Sequence, residues 1–474
     1  MSEDLRTYVE QLRRRRGELI DVRRQVSPVG EISAVVKSLE PMGKPAVMFH
    51  DVEGTEIPVI MGLFGTRDRL ANSLGVDRRS LVTHVLSLMG SELPEVIPVT
   101  DPEIDGYVRE GNEVDLGSLP IGVHSRDDAG AYITSGVVAA RDPRTGAINT
   151  GMYRIMVTGS NTLTVNAAPD HDLGRIFLAA AREGRNVDIA IVIGHHPAYA
   201  IASQLKNPVE VDAHELTGAL LGQRFPVTAG LTVDLDIPAD AEIVLEGVVR
   251  PADRVDEGPF GEFTYYYGAA QAPECTVTAM RIRTDPIFHD LHPTHDEHRC
   301  LWLFPGREAR LFQAVRAVVP GVQQARIPFH SGSLSAFLSI TKARQGDGKQ
   351  AALAALASDH FLKHVVVVDD DVDVFDDAAV LWASNVRVQA DIDMFTIPQA
   401  KGIRMDPSAT VVSGGDRITA KTGLDATRPL YPQFPERADL PFRGYENLNP
   451  ADYLSSDDMK HINSISRVLR QIEE

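Results

Sequence analysis

Near the start of the chain, hydrophobic positions switch between helical and strand-like spacing. Apolar residues three and four apart predict an amphipathic helix over residues 3–16, and a second helix is predicted over 67–89. Two short apolar runs, at 46–49 and 57–61, are bounded by turn residues and predict strands. This mixture predicts a small N-terminal α/β domain over residues 1–114.

From residue 115 the pattern changes to consecutive hairpins. Apolar and β-branched runs alternate with turns that contain Asp, Pro, Gly or Asn, which is typical of an antiparallel sheet or barrel. The predicted strands are 132–140, 150–158, 162–167, 187–193, 232–250 and 274–290. Helical patterns at 171–184 and 214–221 interrupt them. The sequence therefore predicts a central domain over 115–320, in which helices pack outside a barrel-like sheet.

The last third of the chain returns to alternating strands and helices. Strands are predicted over 337–341 and 364–368, and helices over 349–358 and 377–383. This rhythm predicts a C-terminal α/β domain over 321–450, although the chain beyond residue 397 shows little periodicity. A final helix is predicted within 451–474, and its apolar face would dock either on a second subunit or on its own domain.

Composition limits the possible partners and the compartment. A chain of 474 residues is too long for one hydrophobic core, and a formal net charge of −19 argues against nucleic acid and anionic membranes as main partners. The two cysteines, Cys275 and Cys300, give no disulfide framework and suit a reducing cytoplasm. No apolar run reaches the roughly 18 residues that a membrane span requires, and the charged N-terminus does not match a signal peptide. We therefore expect a cytoplasmic protein without a membrane span.

Two carboxylates, Glu257 and Glu262, stand on a framework of glycine and proline in the stretch EGPFGEF. Pro259 lacks an N–H and the neighbouring glycines accept unusual backbone conformations, so a rigid loop is predicted there. Two carboxylates in one cavity split their pKa values, so that one holds a proton while the other stays charged. Taken alone, such a pair is more often a solvated acidic turn.

Arg154 lies in an apolar strand, among Tyr153, Ile155 and Met156. A buried guanidinium needs a carboxylate or phosphate partner. Two interpretations follow from the residues, a structural ion pair or a bidentate clamp for a substrate carboxylate that one of the glutamates orients.

Asn149, His171 and Glu215 offer an amide oxygen, an imidazole and a carboxylate. This set of ligands suits Mg²⁺ or Mn²⁺ better than a thiolate zinc site. Scattered triplets of this kind arise by chance in most chains of this length, so the set is weak by itself. A divalent ion held in this way would keep open positions for a phosphate.

Two further polar clusters carry less weight. Asp369–Asp371 follow a buried strand, where acidic residues usually cap or turn the chain. His292, His295 and His298 lie near Cys300, and this stretch is either a metal tract or, as its polar flanks favour, a loop that lines a pocket.

Seven motifs together resemble the UbiD family of prenylated-flavin decarboxylases, and the resemblance covers nearly the whole chain. The combination is specific although each motif alone is not. The motifs are Asn149–Arg154 (NTGMYR), Asp170-His171, Ala213–Leu220 (AHELTGAL), Ala241–Gly247 (AEIVLEG), Glu257–Glu262 (EGPFGE), Val366–Val374 (VVVDDDVDV) and Thr422–Thr427 (TGLDAT).

This resemblance implies a fold and a reaction. The fold is mixed α+β and α/β, with a central flavin-reductase-like split β-barrel between a small N-terminal α/β domain and a C-terminal α/β domain that ends in a helix. The implied reaction is the reversible decarboxylation of an aromatic, heteroaromatic or α,β-unsaturated acid. Arg154 would clamp the carboxylate, Glu257 would orient Arg154, and Glu262 would donate the proton that replaces CO₂. Because losing CO₂ from an sp² carbon leaves a carbanion that no side chain delocalises, an organic electron sink is required.

The resemblance also implies which residues hold the cofactor and ions. Asn149, His171 and Glu215 match the family's ligands for a divalent ion, usually Mn²⁺, that bridges to the phosphate of prenylated FMN, and a K⁺ held by backbone carbonyls is expected nearby. The expected cofactor-binding residues are Thr150, Gly151, Met152, Arg154, Asp170, His171, Ser203, Leu205 and Lys342, the last as a phosphate contact. A flavin prenyltransferase would supply the cofactor, and the terminal helix predicts a homodimer or an assembly of dimers.

Two rival functions remain open at this point. A metal-dependent hydrolase or phosphotransferase would use the same Asn149, His171 and Glu215 site without a flavin. The second rival is a non-catalytic cofactor-binding subunit of a carboxylase complex, and the presence of Arg154, Glu257 and Glu262 argues against it.

Overall fold

A computed structural model of the protein describes residues 3–88, 91–205, 211–436, 438 and 449–462. Four sheets form its framework. The described helices are Leu5–Arg14, Glu31–Leu39, Arg67–Ser73, Leu81–Leu88, Asp172–Arg182, Pro197–Gln204, Ala213–Leu221, Asp296–Trp302, Glu308–Arg316, Asp347–Ser358, Asp377–Val386 and Ala390–Asp393. In this part of the chain, no helix has the length and apolarity that crossing a bilayer demands.

The N-terminal sheet has four strands, in the order Leu19–Val22, Ala46–Phe49, Val59–Met61 and Phe288–His289. Its last strand comes from the far end of the central region and pairs parallel with Val59–Met61. The predicted first helix is confirmed as Leu5–Arg14, with its apolar face buried.

The single helix predicted over 67–89 is wrong. The structure has two helices there, Arg67–Ser73 and Leu81–Leu88, with an irregular segment between them. Gly75 in that segment has φ +68°, a left-handed conformation that ends helices and that glycine adopts most readily.

The central sheet has nine strands and curls into a half-barrel. Eight of them follow the order Tyr132–Ile133, Arg154–Val157, Thr162–Asn166, Tyr267–Ile282, Ile243–Gly261, Val187–Ile193, Val137–Arg141 and Ile148–Met152, and Tyr107–Glu110 pairs with Tyr267–Ile282. The predicted split-barrel architecture is therefore confirmed. Inward-facing aliphatic side chains of these strands form one core with the helix Asp172–Arg182.

The strand predicted over 150–158 is interrupted at Tyr153. Ile148–Met152 pairs with Val137–Arg141 at one end of the strand order, whereas Arg154–Val157 lies near the other end. Because one residue joins strands at opposite ends of the order, the sheet must bend until its two ends adjoin. This junction carries Asn149 to Arg154 and forms one wall of the cavity described below.

The rigid loop predicted around Pro259 is also wrong. Glu257 to Gly261 form the end of the strand Ile243–Gly261, which pairs with Tyr267–Ile282 as a long antiparallel hairpin. The pairing register shifts between Glu257 and Phe260, and Gly258 has φ +101°. The glycines and the proline thus shape a β-bulge, which redirects side chains without ending the strand.

Two smaller units complete the framework. A three-stranded sheet joins Ile97–Pro98, Pro226–Ala229 and Asp236–Pro238. The C-terminal sheet has the order Val322–Arg326, Ser335–Ile340, His364–Asp369, Arg417–Ala426 and Met394–Lys401, with Thr410–Val411 beside Arg417–Ala426. The segment beyond residue 397, which has little hydrophobic periodicity, therefore contributes the strand Thr410–Val411, the strand Arg417–Ala426 and the end of Met394–Lys401.

The domain limits at 114, 320 and 450 stay predictions. Strands of the first and central regions share sheets, since Ile97–Pro98 pairs with Pro226–Ala229 and Tyr107–Glu110 pairs with the long hairpin. Of the predicted terminal helix at 451–474, residues 463–474 lie outside the described part of the chain, and residues 456–462 are helical.

Candidate active site

A cavity of about 840 Å³ opens between the central sheet and the C-terminal region. Its walls come from the Tyr153 junction, from the end of the helix Pro197–Gln204, from the end of the long hairpin and from residues 401–405. The cavity therefore brings together residues that lie more than two hundred positions apart in sequence.

Arg154 lies on this cavity wall between the two predicted glutamates. Its Nε donates to Oε2 of Glu257 at 3.0 Å, its Nη2 bonds the same oxygen, and its Nη1 bonds Oε1 of Glu262. The Arg154 side chain is 9% exposed and that of Glu257 is fully buried. The guanidinium also lies 5.4 Å above the ring of Phe260, which adds a cation–π contact. The structure thus brings together the three residues that were predicted to be catalytic.

Burial raises the pKa of Glu262, and the neighbouring Glu257 carboxylate adds to this, whereas Arg154 and Arg404 act in the opposite direction. The net shift is upward, so Glu262 holds its proton to a higher pH than an ordinary glutamate. Such a group suits a proton donor.

Two residues that support this cluster were not identified from the sequence. Asn166 stands opposite Arg154 in the strand register, and its Nδ2 donates to Oε2 of Glu257 at 2.6 Å. Gly268 lies against the Arg154–Glu262 pair, since an added Cβ would lie 2.9 Å from Oε1 of Glu262 and 3.2 Å from Nη1 of Arg154. Only their positions relative to the motifs could have identified these two residues. Asn166 shortly precedes the Asp170-His171 motif, and Gly268 pairs with the strand that contains EGPFGE.

Unpaired oxygen atoms on the strand Ile148–Met152 fit a bound ion or cofactor. Asn149 Oδ1 and Thr150 Oγ1 are buried and have no hydrogen-bond partner among the described residues. A buried polar atom without a partner is costly, so these two oxygens are positioned for a ligand. His171 lines the same cavity, as the residue that caps the helix Asp172–Arg182.

Glu215 does not line the cavity, but its helix lies against the strand of Asn149. The N-cap residue of that helix, Asp212, accepts a hydrogen bond of 2.9 Å from the backbone N–H of Ile148. Burial raises the pKa of Glu215, and the nearby Asp212 and Glu95 raise it further. A carboxylate whose charged neighbours are acidic gains from a bound cation. Among the described residues, no group of three or more His, Cys, Asp or Glu side chains is arranged to hold a metal ion. The predicted ligands are of a different kind, because only His171 and Glu215 belong to these residue types and the third ligand is the amide of Asn149.

The other predicted cofactor contacts divide into two groups. Thr150, Gly151, Met152, Asp170, Ser203 and Leu205 line the cavity. Lys342 does not, because its Nζ donates instead to Thr427 Oγ1 at 2.9 Å and to the Arg428 carbonyl at 3.1 Å.

Lys401 lines the cavity and was not identified from the sequence. Its Nζ lies 3.3 Å from Oδ2 of Asp170. Burial acts to raise the pKa of Asp170, but His171 and Lys401 hold it below its ordinary value. Sequence analysis missed Lys401 because the strand Met394–Lys401 has no regular apolar alternation.

The clusters that carried less weight are mainly structural. Asp369 and Asp371 both bind Arg387, which pairs with the second of them at 2.7 Å. Of the three histidines, only His298 lines the cavity, and burial together with Arg299 lowers its pKa to about 4. The structure therefore supports a pocket-lining role for His298 alone among them.

Comparison with known proteins identifies the family. Models of the 3-octaprenyl-4-hydroxybenzoate carboxy-lyase family match residues 10–89 (N-terminal domain), 99–295 (Rift-related domain) and 302–426 (C-terminal domain). The chain is 36% identical over 416 residues to an anhydromevalonate phosphate decarboxylase of Methanothermobacter thermautotrophicus, which covers 87% of this chain and 95% of the relative. It is 29% identical over 448 residues to a phenolic acid decarboxylase of Streptomyces sp., which covers 91% and 93% of the two chains.

Solved structures show the same relationship over nearly the full length. The UbiD-class enzyme HmfF from Pelotomaculum thermopropionicum, in complex with FMN, is 37% identical with a TM-score of 0.88, covering 95% of this chain and 100% of that one. An evolved dimeric form of HmfF in complex with prFMN is 36% identical with a TM-score of 0.85, covering 96% and 100%. From the family models, the curated relatives and the shared fold, the chain belongs to the UbiD family of decarboxylases and is an enzyme of the carboxy-lyase class.

Proposed function

We propose that this protein is a prenylated-FMN-dependent decarboxylase of an aromatic, heteroaromatic or α,β-unsaturated carboxylic acid. The observation that carries the proposal is the placement of Arg154 between Glu257 and Glu262 on the wall of one cavity. The prFMN and FMN complexes of the related HmfF support a flavin cofactor here. When bound, this cofactor supplies the electron sink that the carbanion needs.

Arg154 binds the substrate carboxylate in this proposal. The bonds from Nε and Nη2 to Glu257 fix one edge of the guanidinium. A carboxylate that approaches the Nη1 edge competes with Glu262 for that donor and frees the Glu262 side chain. Fixing the group before substrate arrives removes part of the entropic cost of orientation.

Glu262 supplies the proton. The bond between the substrate carbon and its carboxylate breaks, CO₂ leaves, and the proton of Glu262 forms the new C–H bond. Solvent then returns a proton to the Glu262 carboxylate. The raised pKa of Glu262 favours its protonated form before this step, and Glu257 holds Arg154 through its hydrogen bonds.

Asn149, His171 and Glu215 would hold a divalent ion, Mn²⁺ or Mg²⁺, at the cofactor phosphate. Support comes from the unpaired Asn149 Oδ1 and from the acidic surroundings of Glu215. Lys401 lines the cavity and takes the place that the sequence had assigned to Lys342 as the phosphate contact. A K⁺ site, a homodimer, a cytoplasmic location and cofactor supply by a flavin prenyltransferase belong to the same proposal.

The experiment is a panel of carboxylic acids assayed for CO₂ release. The protein is coexpressed with a flavin prenyltransferase and its absorbance is recorded before the assay. We expect a flavin-like spectrum and CO₂ release from at least one aromatic or acrylic acid. A colourless metalloprotein that hydrolyses phosphate esters would instead support the rival hydrolase or phosphotransferase. Full activity of a carboxylase complex that contains Arg154→Ala would support the non-catalytic subunit.

A further inference from the structure

Arg307 lines the cavity from the C-terminal side and has an unused donor. Its side chain is 7% exposed, and its Nη2 is buried without a hydrogen-bond partner among the described residues. The other nitrogens are occupied, because Nε donates to Oδ2 of Asp359 at 2.8 Å and Nη1 donates to the Ser333 carbonyl at 3.0 Å. An unpaired donor on a buried cation is costly unless a ligand completes it.

Two aromatic rings hold the Arg307 guanidinium in place. Its Cζ lies 4.7 Å from the ring centre of Trp302 and 4.9 Å from that of Phe361. These faces attract the charge but offer no lone pair in the guanidinium plane. They fix the orientation of Nη2 and leave it without an acceptor.

The backbone that carries Arg307 is a π-helical turn, Leu303–Arg307, between the helices Asp296–Trp302 and Glu308–Arg316. Wide turns of this kind are rare and are found mostly at functional sites. The turn packs tightly against the cavity wall, since a Cβ on Gly306 would lie 2.3 Å from the Gln204 carbonyl oxygen.

Arg307 is close to the proposed catalytic cluster. Phe263, which directly follows Glu262, has its ring centre 4.8 Å from that of Trp302. Trp302 in turn lies against Arg307. Arg154 and Arg307 line the same cavity, and the rings of Phe263 and Trp302 connect the segment of Glu262 to Arg307.

The charge near Arg307 is not balanced. Arg307 and Arg310 share one carboxylate, Asp359, which lies 3.9 Å from Nη2 of Arg310. The nearby Glu308 is already bound by Arg67. The Arg310 side chain is 33% exposed and also lines the cavity, so this wall has one positive charge more than Asp359 compensates.

We propose that Arg307, assisted by Arg310, binds a second anionic group of the substrate, at the end opposite the carboxylate that is lost. The substrate is then a dicarboxylic acid or a phosphorylated acid. This inference rests on the proposed decarboxylation, and it assigns Arg307 as the residue that selects among possible acids.

The test measures kcat/KM for two pairs of acids. One pair is an aromatic monoacid and its dicarboxylic counterpart, and the other is an unsaturated monoacid and its phosphorylated counterpart. With holoenzyme, we expect kcat/KM to favour one of the dianionic partners, and which one it favours identifies the anion. Arg307→Gln should reduce that preference by about 10- to 100-fold, mainly through KM, and leave the monoacid within about threefold. Arg307→Lys should restore part of it, because the charge remains.

The control is Arg326→Gln. Arg326 also pairs with an aspartate and lies 5.8 Å from an aromatic ring, that of Phe375, but it does not line the cavity. If Arg307→Gln fails to fold, the double variant Arg307→Gln/Asp359→Asn removes both charges of the pair and serves instead.

A binding measurement separates this inference from the proposed reaction. Calorimetry with cyclohexane dicarboxylate and cyclohexanecarboxylate, which have no double bond and cannot react, should show tighter binding of the diacid and loss of that difference in Arg307→Gln. If no acid releases CO₂ but this difference is seen, the proposed reaction fails and the anion site stands. Equal treatment of monoacids and dianionic acids by the wild-type protein, or an equal loss for both in Arg307→Gln, would overturn the inference.

Discussion

Oε2 of Glu257 accepts a 3.0 Å hydrogen bond from Nε of Arg154, which holds the guanidinium along one edge. The same oxygen accepts from Asn166, and Glu257 is only 1% exposed. These contacts support the proposed role of Glu257 in orienting Arg154, and the more exposed Glu262 is the proposed proton donor.

Asn166→Ala removes the neutral donor that shares Oε2 of Glu257 with Arg154. Hydrogen bonds to charged groups are worth more than neutral ones, so we expect kcat to fall by about 10-fold or more as Arg154 loses its fixed orientation. Steady-state kinetics of the holoenzyme measure this. Asn112→Ala, at an exposed position, is the control and should be silent; an unchanged kcat in Asn166→Ala would show that Glu257 needs no second donor.

Gly268→Ala places a methyl group against the Arg154–Glu262 pair, 2.9 Å from the glutamate oxygen. The side chains must move apart, and a displacement of about 1 Å at reacting groups costs roughly 100-fold in rate. We expect a large loss of kcat with little change in melting temperature. Gly130→Ala is the matched control, because its added Cβ meets no atom within 4 Å. Wild-type activity in Gly268→Ala would mean that the pair tolerates displacement.

The pH dependence of kcat should report on Glu262. Its pKa lies above the ordinary 4.5, and it donates only when protonated, so activity is lost as pH rises through that raised pKa. Arg404 lowers this pKa, and Arg404→Gln should therefore move the decline to higher pH. Profiles for wild type, Arg404→Gln and the surface control Arg185→Gln decide this, and a shift to lower pH in Arg404→Gln would contradict the assignment.

Glu215→Ala should weaken the binding of metal and flavin together. Mutating residues that only support metal ligands lowers metal affinity by about 10- to 100-fold, so removing a ligand itself should lower it by at least as much. Metal content and flavin absorbance after desalting measure both losses, with Glu183→Gln, an exposed surface glutamate, as the control. Full flavin retention in a metal-free Glu215→Ala protein would contradict the bridging role.

The proposed catalytic cluster was predictable mainly through the resemblance to the UbiD family, because the residues alone left a structural ion pair and a solvated acidic turn open. Arg154 is a lone cation in an apolar strand, and Glu257 and Glu262 sit on a distinctive Gly/Pro motif. The structure does bring them together. The N-terminal helix and the helix after His171 were predictable from their residues, since each buries a face with clear helical period.

The remaining features of the site depend on tertiary structure and could not be predicted from the sequence. Nothing in the run from Ile148 to Val157 marks Tyr153 as a junction, because the break arises from the curl of the whole sheet. Asn166 and Gly268 act through cross-strand register, which depends on pairing between distant segments. Lys401 and Arg307 reach the cavity only once the C-terminal region packs against the central sheet.

The most direct test of the central claim is CO₂ release by Glu262→Gln, purified with its flavin and assayed on an acid that the wild-type enzyme turns over. The variant keeps the shape of the side chain but has no proton to donate from a carboxyl group. We predict a wild-type flavin spectrum with turnover reduced by at least about 100-fold, the lower end of what a proton-transfer residue contributes. Turnover at the wild-type rate would contradict the account, and loss of the flavin along with activity would show that Glu262 is structural.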